Sequence, residues 1–364
     1  MNSGNIAELY EGQLLNGKKH GFGKLTFSAD DKLDRDYYRG EFKDDKSNGK
    51  GKLAWKSGSL YEGEFVNGLR SGNGTYTLPN GEMYEGQWFN NKKNGFGKYT
   101  FAGSSVKDNY VGELRDNEAH GKGKLVWKDG SVYEGEFEHG LRSGNGTYYY
   151  ADGSKYEGQW LNGVMKGFGK HSFARDDILD RDYYIGEFSG DLPNGNGKFV
   201  WKSGAVYEGE FVNGLRSGNG THTLPNGETY VGQWLKNQKN SIGKYTYGRN
   251  SVKDYYIGES KDNNAHGKGK LVWKDGSVYE GEFADGLRSG YGTYFSNPDG
   301  SKYEGYWLNG EINGFGKHTF ARDDILGRDF YIGEFKDGLP NGEGKMKWRN
   351  GTSSNGEWLR GSKL

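Results

Sequence analysis

Three acidic segments contain the residues whose type and spacing come closest to metal-binding chemistry. They occupy positions 29–36, 175–182 and 322–329, and each combines several Asp with basic residues. Calcium prefers carboxylate oxygens, but the ligand order and central glycine of an EF-hand are absent, and Gly327 replaces one Asp of the earlier copies. We predict solvated loops in which Asp and Arg pair with each other, and no metal or other cofactor. Ion binding by these loops stays open as an alternative.

Seven histidines and a repeated Gly-Lys-Gly-Lys sequence are the other residues with catalytic or phosphate-binding potential. His20, His120 and His266 stand at one repeat position, so they lie too far apart along an array to share a metal. Gly-Lys-Gly-Lys, first found at 49–52, lacks the spacing and the following helix of a phosphate loop. No Ser has the sequence context of a nucleophile elbow. The sequence therefore predicts a protein without catalytic or cofactor-binding residues.

A Tyr-x-Gly sequence recurs fourteen times, and a Gly-x-Gly pair follows eleven residues after each Tyr, as from Tyr61 to Gly72. One copy departs, because Ser241 stands where the first glycine of the pair is expected. So strict a period predicts a repeat architecture over 10–353 rather than two or three domains. We interpret 1–9 as an N-terminal cap and 354–364 as a degenerate repeat that forms the C-terminal cap. The copies begin at Tyr10, Tyr38, Tyr61, Tyr84, Tyr110, Tyr133, Tyr156, Tyr184, Tyr207, Tyr230, Tyr256, Tyr279, Tyr303 and Tyr331.

Each repeat has the pattern of a β-hairpin. Tyr61, Gly63 and Phe65 alternate with Glu, as in a half-buried strand. Asn67-Gly68 is a strong turn signal because both residues tolerate positive φ, and we expect the second strand at 72–78. Glycine on the aromatic face leaves room for rings to lie on bare backbone and to replace an aliphatic core. We predict an all-β fold, an elongated, single-layer, twisted antiparallel sheet of about fifteen tandem hairpins with almost no helix.

The pattern Tyr-Glu-Gly-Glu-Phe-x-x-Gly-x-x-x-Gly-x-Gly, found at 133–146 and 207–220, closely resembles the MORN (membrane occupation and recognition nexus) repeat. The resemblance covers about Tyr10 to Trp358. It implies an elongated sheet with a groove lined by the aromatic and glycine positions of the repeat. The family includes radial spoke head proteins of cilia, junctophilins, plant phosphoinositide kinases, a lysine methyltransferase and parasite cytoskeletal scaffolds. This sequence shows repeats alone, similar to radial spoke head proteins, so the resemblance implies no enzymatic activity.

Every third linker between repeats is longer, so three hairpins form a larger unit. All of the extra length follows the Gly-x-Gly strand, which places the long loops on one edge of the sheet at intervals of six strands, roughly 29 Å. Such regularity favours a surface that binds an extended partner or several copies of one. Apolar residues within the acidic loops favour docking there. The predicted partner-loop residues are Leu33, Ile178, Leu179, Ile325 and Leu326.

Two further surfaces are candidate binding sites. A one-layer sheet cannot bury both sides of its aromatic stripe, so we expect an apolar groove that binds partner segments. The predicted groove residues are Phe65, Trp88, Tyr133, Trp160, Tyr207, Trp234, Tyr279 and Trp307. The turn sequence Gly-Leu-Arg-Ser-Gly provides a basic stripe that would contact anionic lipid headgroups, unless its Arg pair with Glu of neighbouring strands. The lipid-contact candidates are Arg70, Arg142, Arg216 and Arg288.

The composition limits the possible partners and compartments. Basic and acidic residues are equal in number, 49 each, which argues against a general attraction to nucleic acid or anionic membrane. The absence of Cys excludes disulfides, and neither a signal peptide nor an apolar run of roughly 20 residues is present. We therefore predict a cytoplasmic, cytoskeleton-associated scaffold, with a cilium or flagellum as one setting, that binds cytoskeletal or ciliary proteins. Peripheral binding to phosphoinositides is the alternative, and self-association is left open.

Overall fold

The computed structural model describes residues 8–364, so the predicted N-terminal cap lies outside the described residues except for Glu8 and Leu9. These residues form strands and turns and no helix. The chain divides into two compact units, which the period of the sequence did not indicate. The first runs to Asp176 and includes 188–191, and the second comprises 177–187 and 192–364.

Each unit is an open antiparallel sheet in which strands pair with their neighbours in the chain, and the all-β prediction of tandem hairpins is confirmed. The strands up to the boundary are β1 Leu9–Leu15, β2 Lys18–Thr26, β3 Arg35–Lys43, β4 Lys46–Trp55, β5 Leu60–Val66, β6 Leu69–Thr77, β7 Met83–Phe89, β8 Lys92–Thr100, β9 Lys107–Arg115, β10 Glu118–Trp127, β11 Val132–Glu138, β12 Leu141–Tyr149, β13 Lys155–Leu161, β14 Val164–Ser172 and β15 Arg181–Ser189. The remaining strands are β16 Leu192–Trp201, β17 Val206–Val212, β18 Leu215–Thr223, β19 Thr229–Leu235, β20 Gln238–Thr246, β21 Lys253–Lys261, β22 Asn264–Trp273, β23 Val278–Ala284, β24 Leu287–Phe295, β25 Lys302–Leu308, β26 Glu311–Thr319, β27 Arg328–Lys336, β28 Leu339–Trp348, β29 Ser353–Leu359 and β30 Ser362–Lys363.

The hairpin turns follow from residues that adopt positive φ. Asn67 and Gly68 have φ of 54° and 87°, which confirms the predicted turn, and the second strand therefore starts at Leu69, earlier than expected. The first glycine of each Gly-x-Gly pair lies at a bulge and has positive φ, 61° at Gly72. Ser241, at the same position in the departing copy, keeps this conformation with φ of 59°. The exception in the sequence therefore leaves the backbone unchanged.

The glycine of Tyr-x-Gly and the second glycine of Gly-x-Gly are required for a different reason. Gly63, Gly74 and Gly86 pair directly across three neighbouring strands, and this ladder of glycines recurs through each unit. A Cβ added to Gly63 would lie 2.5 Å from Cα of Gly74 and 2.6 Å from the hydroxyl oxygen of Tyr61, distances that no side chain tolerates. The Tyr61 ring lies on this bare backbone, so the repeat needs glycine there.

Antiparallel pairing gives the sheet of each unit two different faces. We call the face that carries Tyr61 and its equivalents the Tyr face. The opposite face carries Glu62 and Glu64, which alternate with Tyr61 along β5, and we call it the open face. The hairpin turns lie at one edge of each sheet, and the linkers between hairpins lie at the other.

Candidate functional site

The Tyr face is filled by the protein's own aromatic rings. Tyr61 is fully buried, and its hydroxyl donates a hydrogen bond of 3.0 Å to the carbonyl oxygen of Glu64. Its ring makes edge-on contacts with Phe65 of the same hairpin at 5.1 Å and with Trp88 of the next hairpin at 5.2 Å between centroids. Because Trp88 also contacts Tyr84, the rings form a ladder that links hairpin to hairpin. The ladder is interrupted where Leu114 and Ser260 occupy the ring position. Edge-on aromatic packing of this kind replaces an aliphatic core.

All eight residues predicted to line a partner groove lie in this ladder. Each is less than 5 % exposed, so they stabilise the sheet and none presents a free surface. Trp160 illustrates the environment, since its ring contacts Tyr133 and Tyr156 and its indole N–H donates to the carbonyl oxygen of Gly146 at 3.1 Å. The structure places Phe65, Trp88, Tyr133, Trp160, Tyr207, Trp234, Tyr279 and Trp307 on the Tyr face.

The four Arg proposed as lipid contacts also belong to the Tyr face. The guanidinium group of Arg70 lies 4.4 Å from the centroid of Trp88 and donates to the carbonyl oxygen of Asn91 in the next turn at 3.0 Å. Arg142, Arg216 and Arg288 stack on their own Trp at 4.2, 4.4 and 4.1 Å in the same way. The expected pairing with Glu is replaced by cation–π contacts and bonds to turn carbonyls.

Each acidic loop is held closed by one Asp. The carboxylate of Asp177 accepts hydrogen bonds from the backbone N–H of Leu179 at 3.1 Å and of Arg181 at 2.9 Å, and it forms an ion pair with the Arg181 guanidinium at 2.6 Å. Asp31 and Asp324 do the same with Arg35 and Arg328. Hydrogen bonds from these Arg lower the pKa of Asp31 and Asp324 to about 2, and they lower the pKa of Asp177. We call this arrangement the Asp–Arg clamp.

The clamp leaves the apolar residues of the loop in solvent. Ile178 is 96 % exposed and Ile325 is 100 % exposed, while Leu33, Leu179 and Leu326 are also exposed. The turn after them needs positive φ, which Asp34, Asp180 and Gly327 adopt at 55°, 58° and 61°. Gly327 therefore keeps the loop shape of the Asp that it replaces. Hydrogen bonds and an ion pair within each loop hold its shape, and the apolar side chains at its tip remain exposed for contacts with other molecules.

The open face carries exposed apolar residues that the sequence analysis missed. They occupy the centre of the Gly-x-Gly sequence in every third repeat, and Phe96 among them is 58 % exposed. The signal in the sequence is the same three-repeat period that marks the long loops, but it lies in the residue between the two glycines, which differs from repeat to repeat. These residues are Phe22, Phe96, Phe168, Ile242 and Phe315. Open depressions lie on this face, among them one of about 590 Å³ beside Phe22 and Arg39 and one of about 840 Å³ beside Lys268 and Tyr291.

Besides the clamp Asp residues, titratable groups with large pKa shifts lie in the packing of the Tyr face. Burial raises the pKa of Tyr84 to about 12, and burial with the charge of Arg216 lowers the pKa of His222 to about 4. Burial, followed by the charge of Arg70, lowers the pKa of Lys93 to about 8.

Within residues 8–364 no three His, Cys, Asp or Glu side chains are grouped to hold a metal ion. In the same part of the chain no helix has the length and hydropathy to cross a bilayer.

The hairpins, the glycine ladder and the two unlike faces define a β-repeat protein with open sheets. The chain belongs to the MORN repeat family, whose model matches fourteen copies over most of its length. The family generally serves as a structural or interaction module. The matched residues are 10–32, 38–60, 61–83, 84–106, 110–132, 133–155, 156–177, 184–206, 207–229, 230–252, 256–278, 279–300, 303–325 and 331–353.

Two curated relatives show how far sequence similarity extends. Alsin from Homo sapiens is 34 % identical over 110 residues, which is 30 % of this chain and 5 % of alsin. MORN repeat-containing protein 3 from Xenopus laevis is 52 % identical over 42 residues, which is 11 % of this chain and 18 % of that protein. The matches cover a small part of each relative, so the relatives share repeats with this chain.

Solved structures are similar to this chain only at a low level. The TCP domain of SAS-4 (dCPAP) from Drosophila melanogaster, solved with a proline rich motif of Ana2 (dSTIL), has a TM-score of 0.22 and 12 % identity. That match covers 51 % of this chain and 85 % of the domain. The TCP10 domain of CPAP from Danio rerio, with a peptide of STIL, has a TM-score of 0.19 and 11 % identity over 69 % of this chain and 91 % of the domain. Scores this low support no further argument.

Proposed function

We propose that this chain is a non-enzymatic scaffold that binds segments of partner proteins along its open face. One observation carries the proposal: an exposed apolar residue recurs on that face every six strands, between rows of charged side chains. Phe22, Phe96 and Phe315 are 55 %, 58 % and 57 % exposed, although rings on the opposite face are buried. Apolar residues rimmed by polar groups on an otherwise charged surface are typical of protein-binding sites.

The geometry of the open face favours a macromolecular partner over a small substrate. Its depressions are wide and shallow, and they do not enclose a ligand as the pockets of enzymes do. The residues with strongly shifted pKa, such as His222 and Lys93, are used in ring packing on the Tyr face. An extended segment that crosses several strands would contact successive apolar residues and gain affinity from each.

The setting of this scaffold is proposed from the family resemblance. We place it in the cytoplasm, in a cytoskeletal or ciliary assembly, where MORN arrays of the radial spoke head type would bind axonemal proteins. The exposed loop tips at Ile178 and Ile325 provide a second surface for such partners. The alternative of binding to phosphoinositides has less support, because Arg70 and its equivalents are occupied by Trp rings and turn carbonyls.

The test is to remove the apolar residues of the open face and to measure binding to cytoskeletal protein. The triple variant Phe96→Ser, Phe168→Ser and Ile242→Ser is compared with the wild-type chain in co-sedimentation with detergent-extracted axonemes. A control variant carries Val66→Ser and Val212→Ser, which are exposed near the hairpin turns, away from the Gly-x-Gly centres and from the long loops. We expect the triple variant to lose at least about tenfold in affinity and the control to bind as the wild type does.

Equal binding by the triple variant and the wild type would contradict the proposal. Liposomes that contain a phosphoinositide provide the second arm of the experiment. Binding to these liposomes that requires Arg142 and Arg216, without binding to axonemes, would instead support the membrane alternative.

A further inference from the structure

The charges of the open face alternate in sign along the first unit. The register of the sheet sets one residue of each strand in line with Glu62, and we call this line of residues the charged row. Three strands that contribute basic or apolar residues are followed by three that contribute Glu or Thr, and the alternation then repeats. From β2 to β13 the charged row reads Lys24, Arg39, Lys52, Glu62, Thr75, Glu85, Lys98, Val111, Lys124, Glu134, Thr147 and Glu157.

A second row of the open face lies beside the charged row, and we call it the Phe96 row. Glu113 lies directly opposite Phe96, so it offsets one of the basic residues nearby. Counted over both rows, β5–β7 carry three Glu and no basic residue, whereas β8–β10 carry three Lys and one Glu. The first unit thus has an acidic band on β5–β7 and a basic band on β8–β10. From β5 to β10 the Phe96 row reads Glu64, Asn73, Gln87, Phe96, Glu113 and Lys122.

Contacts within the chain leave both bands charged. Lys124 forms an ion pair with Glu134 at 2.7 Å, and Lys52 approaches Glu62 at 3.8 Å, where neighbouring bands meet. The side chains of both pairs are exposed to solvent, and such pairs are worth little because water and salt screen them. Each band therefore keeps a charge that matches a partner of the opposite sign.

The two bands are complementary under a twofold axis. Glu85 and Lys98 lie directly opposite each other across β7 and β8, where the bands meet. An axis parallel to the strands, placed between β7 and β8, sets β8 of one copy over β7 of the other and β10 over β5. Lys98 then faces Glu85 of the second copy, and Lys124 faces Glu62 of the second copy. Because the axis is twofold, each contact occurs twice.

The Phe96 row matches across the same axis. Lys122 faces Glu64 of the second copy, and Glu113 faces the amide of Asn73, so no two like charges meet over the central six strands. The two Phe96 rings lie on either side of the axis, one strand or about 5 Å apart along the array. Phe96 is 58 % exposed in one copy, and its ring would be buried against its equivalent. An apolar centre with polar groups around it is the usual anatomy of a protein interface.

We propose that the open face of the first unit binds the same face of a second copy of this chain across this axis. The inference rests on the proposed function, because it takes the open face as the docking surface, and it names one partner of that face. Sheets twist and diverge with distance from the axis, so the three strands on each side make the contact. They cover roughly 29 Å by roughly 23 Å, or about 670 Å² on each copy, against about 800 Å² in a typical stable interface.

Phe96 selects this axis among those that the charges permit. Axes between β4 and β5 or between β10 and β11 also set Lys over Glu, but they leave the exposed Phe rings several strands apart. The second unit matches less well, because Val231 of β19 stands where the first unit has Glu85. Around an axis between β25 and β26, Glu343 would face Glu282 of the second copy, which is a contact of like charges.

The first experiment uses the purified full chain and measures association by sedimentation velocity at about 50 mM and about 500 mM salt, which screen charge very differently. The acidic-band variant carries Glu62→Lys and Glu85→Lys, and the basic-band variant carries Lys98→Glu and Lys124→Glu. All four residues are exposed, so both variants should fold, which circular dichroism checks.

We expect a dimer at low salt that weakens at high salt. Each band variant should raise the dissociation constant at least about tenfold, because four contacts of opposite charge become contacts of like charge. An equimolar mixture of the two variants should associate as the wild type does, since one then carries only Lys and the other only Glu at the four positions. A control with Asp30→Lys and Asp176→Lys, exposed in the long loops, changes the net charge as the acidic-band variant does and should dimerise normally.

A crosslinking experiment locates the axis. The sequence has no Cys, so Phe96→Cys and Phe22→Cys each introduce a single thiol. Phe22 is the matched control, because it has the same place in its repeat and is 55 % exposed, but would lie eleven strands, roughly 53 Å, from its equivalent. A bismaleimide that spans about 10 Å, the usual distance between packed sheets, should join two copies of Phe96→Cys at low salt and leave Phe22→Cys uncrosslinked.

Four results would overturn the proposal: a monomeric wild-type chain at low salt, a dimer that survives both band variants, a mixture without recovery, or crosslinking at Phe22 equal to that at Phe96. The axoneme test reads a different partner. A monomer that still binds axonemes therefore contradicts this inference and leaves the proposed function intact. A dimer that meets these expectations and does not bind axonemes supports this inference and contradicts the cytoskeletal partner.

Discussion

The two faces of the sheet use apolar side chains in opposite ways. On the Tyr face, Trp160 contacts the rings of Tyr133 and Tyr156, and its indole N–H has a backbone acceptor. On the open face, Phe96 is more than half exposed although the strand that carries it belongs to the same sheet. Trp160 and Phe96 thus differ in burial because side chains alternate between the two faces along each strand, and the two residues occupy opposite faces.

The comparison shows that stability and recognition are separated by face. The side chains of the Tyr face pack against one another and find their hydrogen-bond partners within the chain. They make edge-on ring contacts, hydroxyl hydrogen bonds such as that of Tyr61 to the carbonyl oxygen of Glu64, and stacks of Arg on Trp. The open face has no comparable layer, so its recurrent apolar residues are available to other molecules. Substitutions on the two faces should therefore affect different measurements.

The largest contrast is expected between Trp160→Ala and Phe96→Ala. Loss of the buried Trp160 ring removes its contacts with two tyrosines and with Arg142, and we expect the free energy of unfolding to fall by about 3–5 kcal/mol. Loss of the exposed Phe96 ring should change it by less than about 0.5 kcal/mol. Urea unfolding followed by circular dichroism measures both. Equal destabilisation by the two substitutions would mean that the faces do not differ in this way.

The glycine ladder gives a second, smaller contrast. In Gly74→Ala the new methyl group would overlap the ring of Tyr61, and we expect a loss of about 3 kcal/mol because that ring is fully buried and has no room to move away. Gly103→Ala is the matched control, since no atom lies within 4 Å of a Cβ at that position and its φ is not positive. Thermal and urea unfolding of both variants should show the difference. A tolerated Gly74→Ala would show that the Tyr ring can leave the backbone.

Much of the fold could be predicted from the sequence because the repeat depends on local backbone rules. Asn67 and Gly68 favour a two-residue turn at this position because both adopt positive φ, and the fixed interval from Tyr61 to Gly72 accompanies the same pairing in each hairpin. The predicted strand start at Gly72 is wrong by three residues, because a two-residue turn lets pairing begin at Leu69, directly after Gly68.

The candidate surfaces were harder to predict because they depend on contacts between hairpins. Alternation shows that Trp88 and Phe96 differ in their surroundings, but it does not show which face the protein fills with its own rings. Arg70 stacks on Trp88, a residue 18 positions later, and that contact follows from the register of neighbouring hairpins. The apolar residues at the centre of Gly-x-Gly follow a three-repeat pattern in the sequence, but that pattern does not show that they lie on the face left uncovered.

The smallest expected change in stability concerns the acidic long loops, which belong to neither face of the sheet. Asp324→Asn removes the charge that binds Arg328, and we expect at most about 1 kcal/mol of lost stability because the loop is at the surface, but much faster hydrogen exchange at the Arg328 amide. Asp323→Asn, a change at the exposed neighbour of Asp324, is the control and should leave exchange unchanged.

The pH dependence of the same clamp follows from the lowered pKa of Asp324, about 2 against an ordinary 3.8, which the hydrogen bond from Arg328 causes first of all. A lowered pKa in the folded state means that the stabilising charge is fully present above the ordinary value and is lost as pH falls through about 2. Between pH 7 and pH 5 the wild-type loop should therefore stay protected, after correction for the intrinsic rate, while near pH 2 it should exchange as Asp324→Asn does. Protection that already disappears near pH 5, with the sheet intact, would show that the exposed Ile325 tip is held by something other than the Asp–Arg clamp.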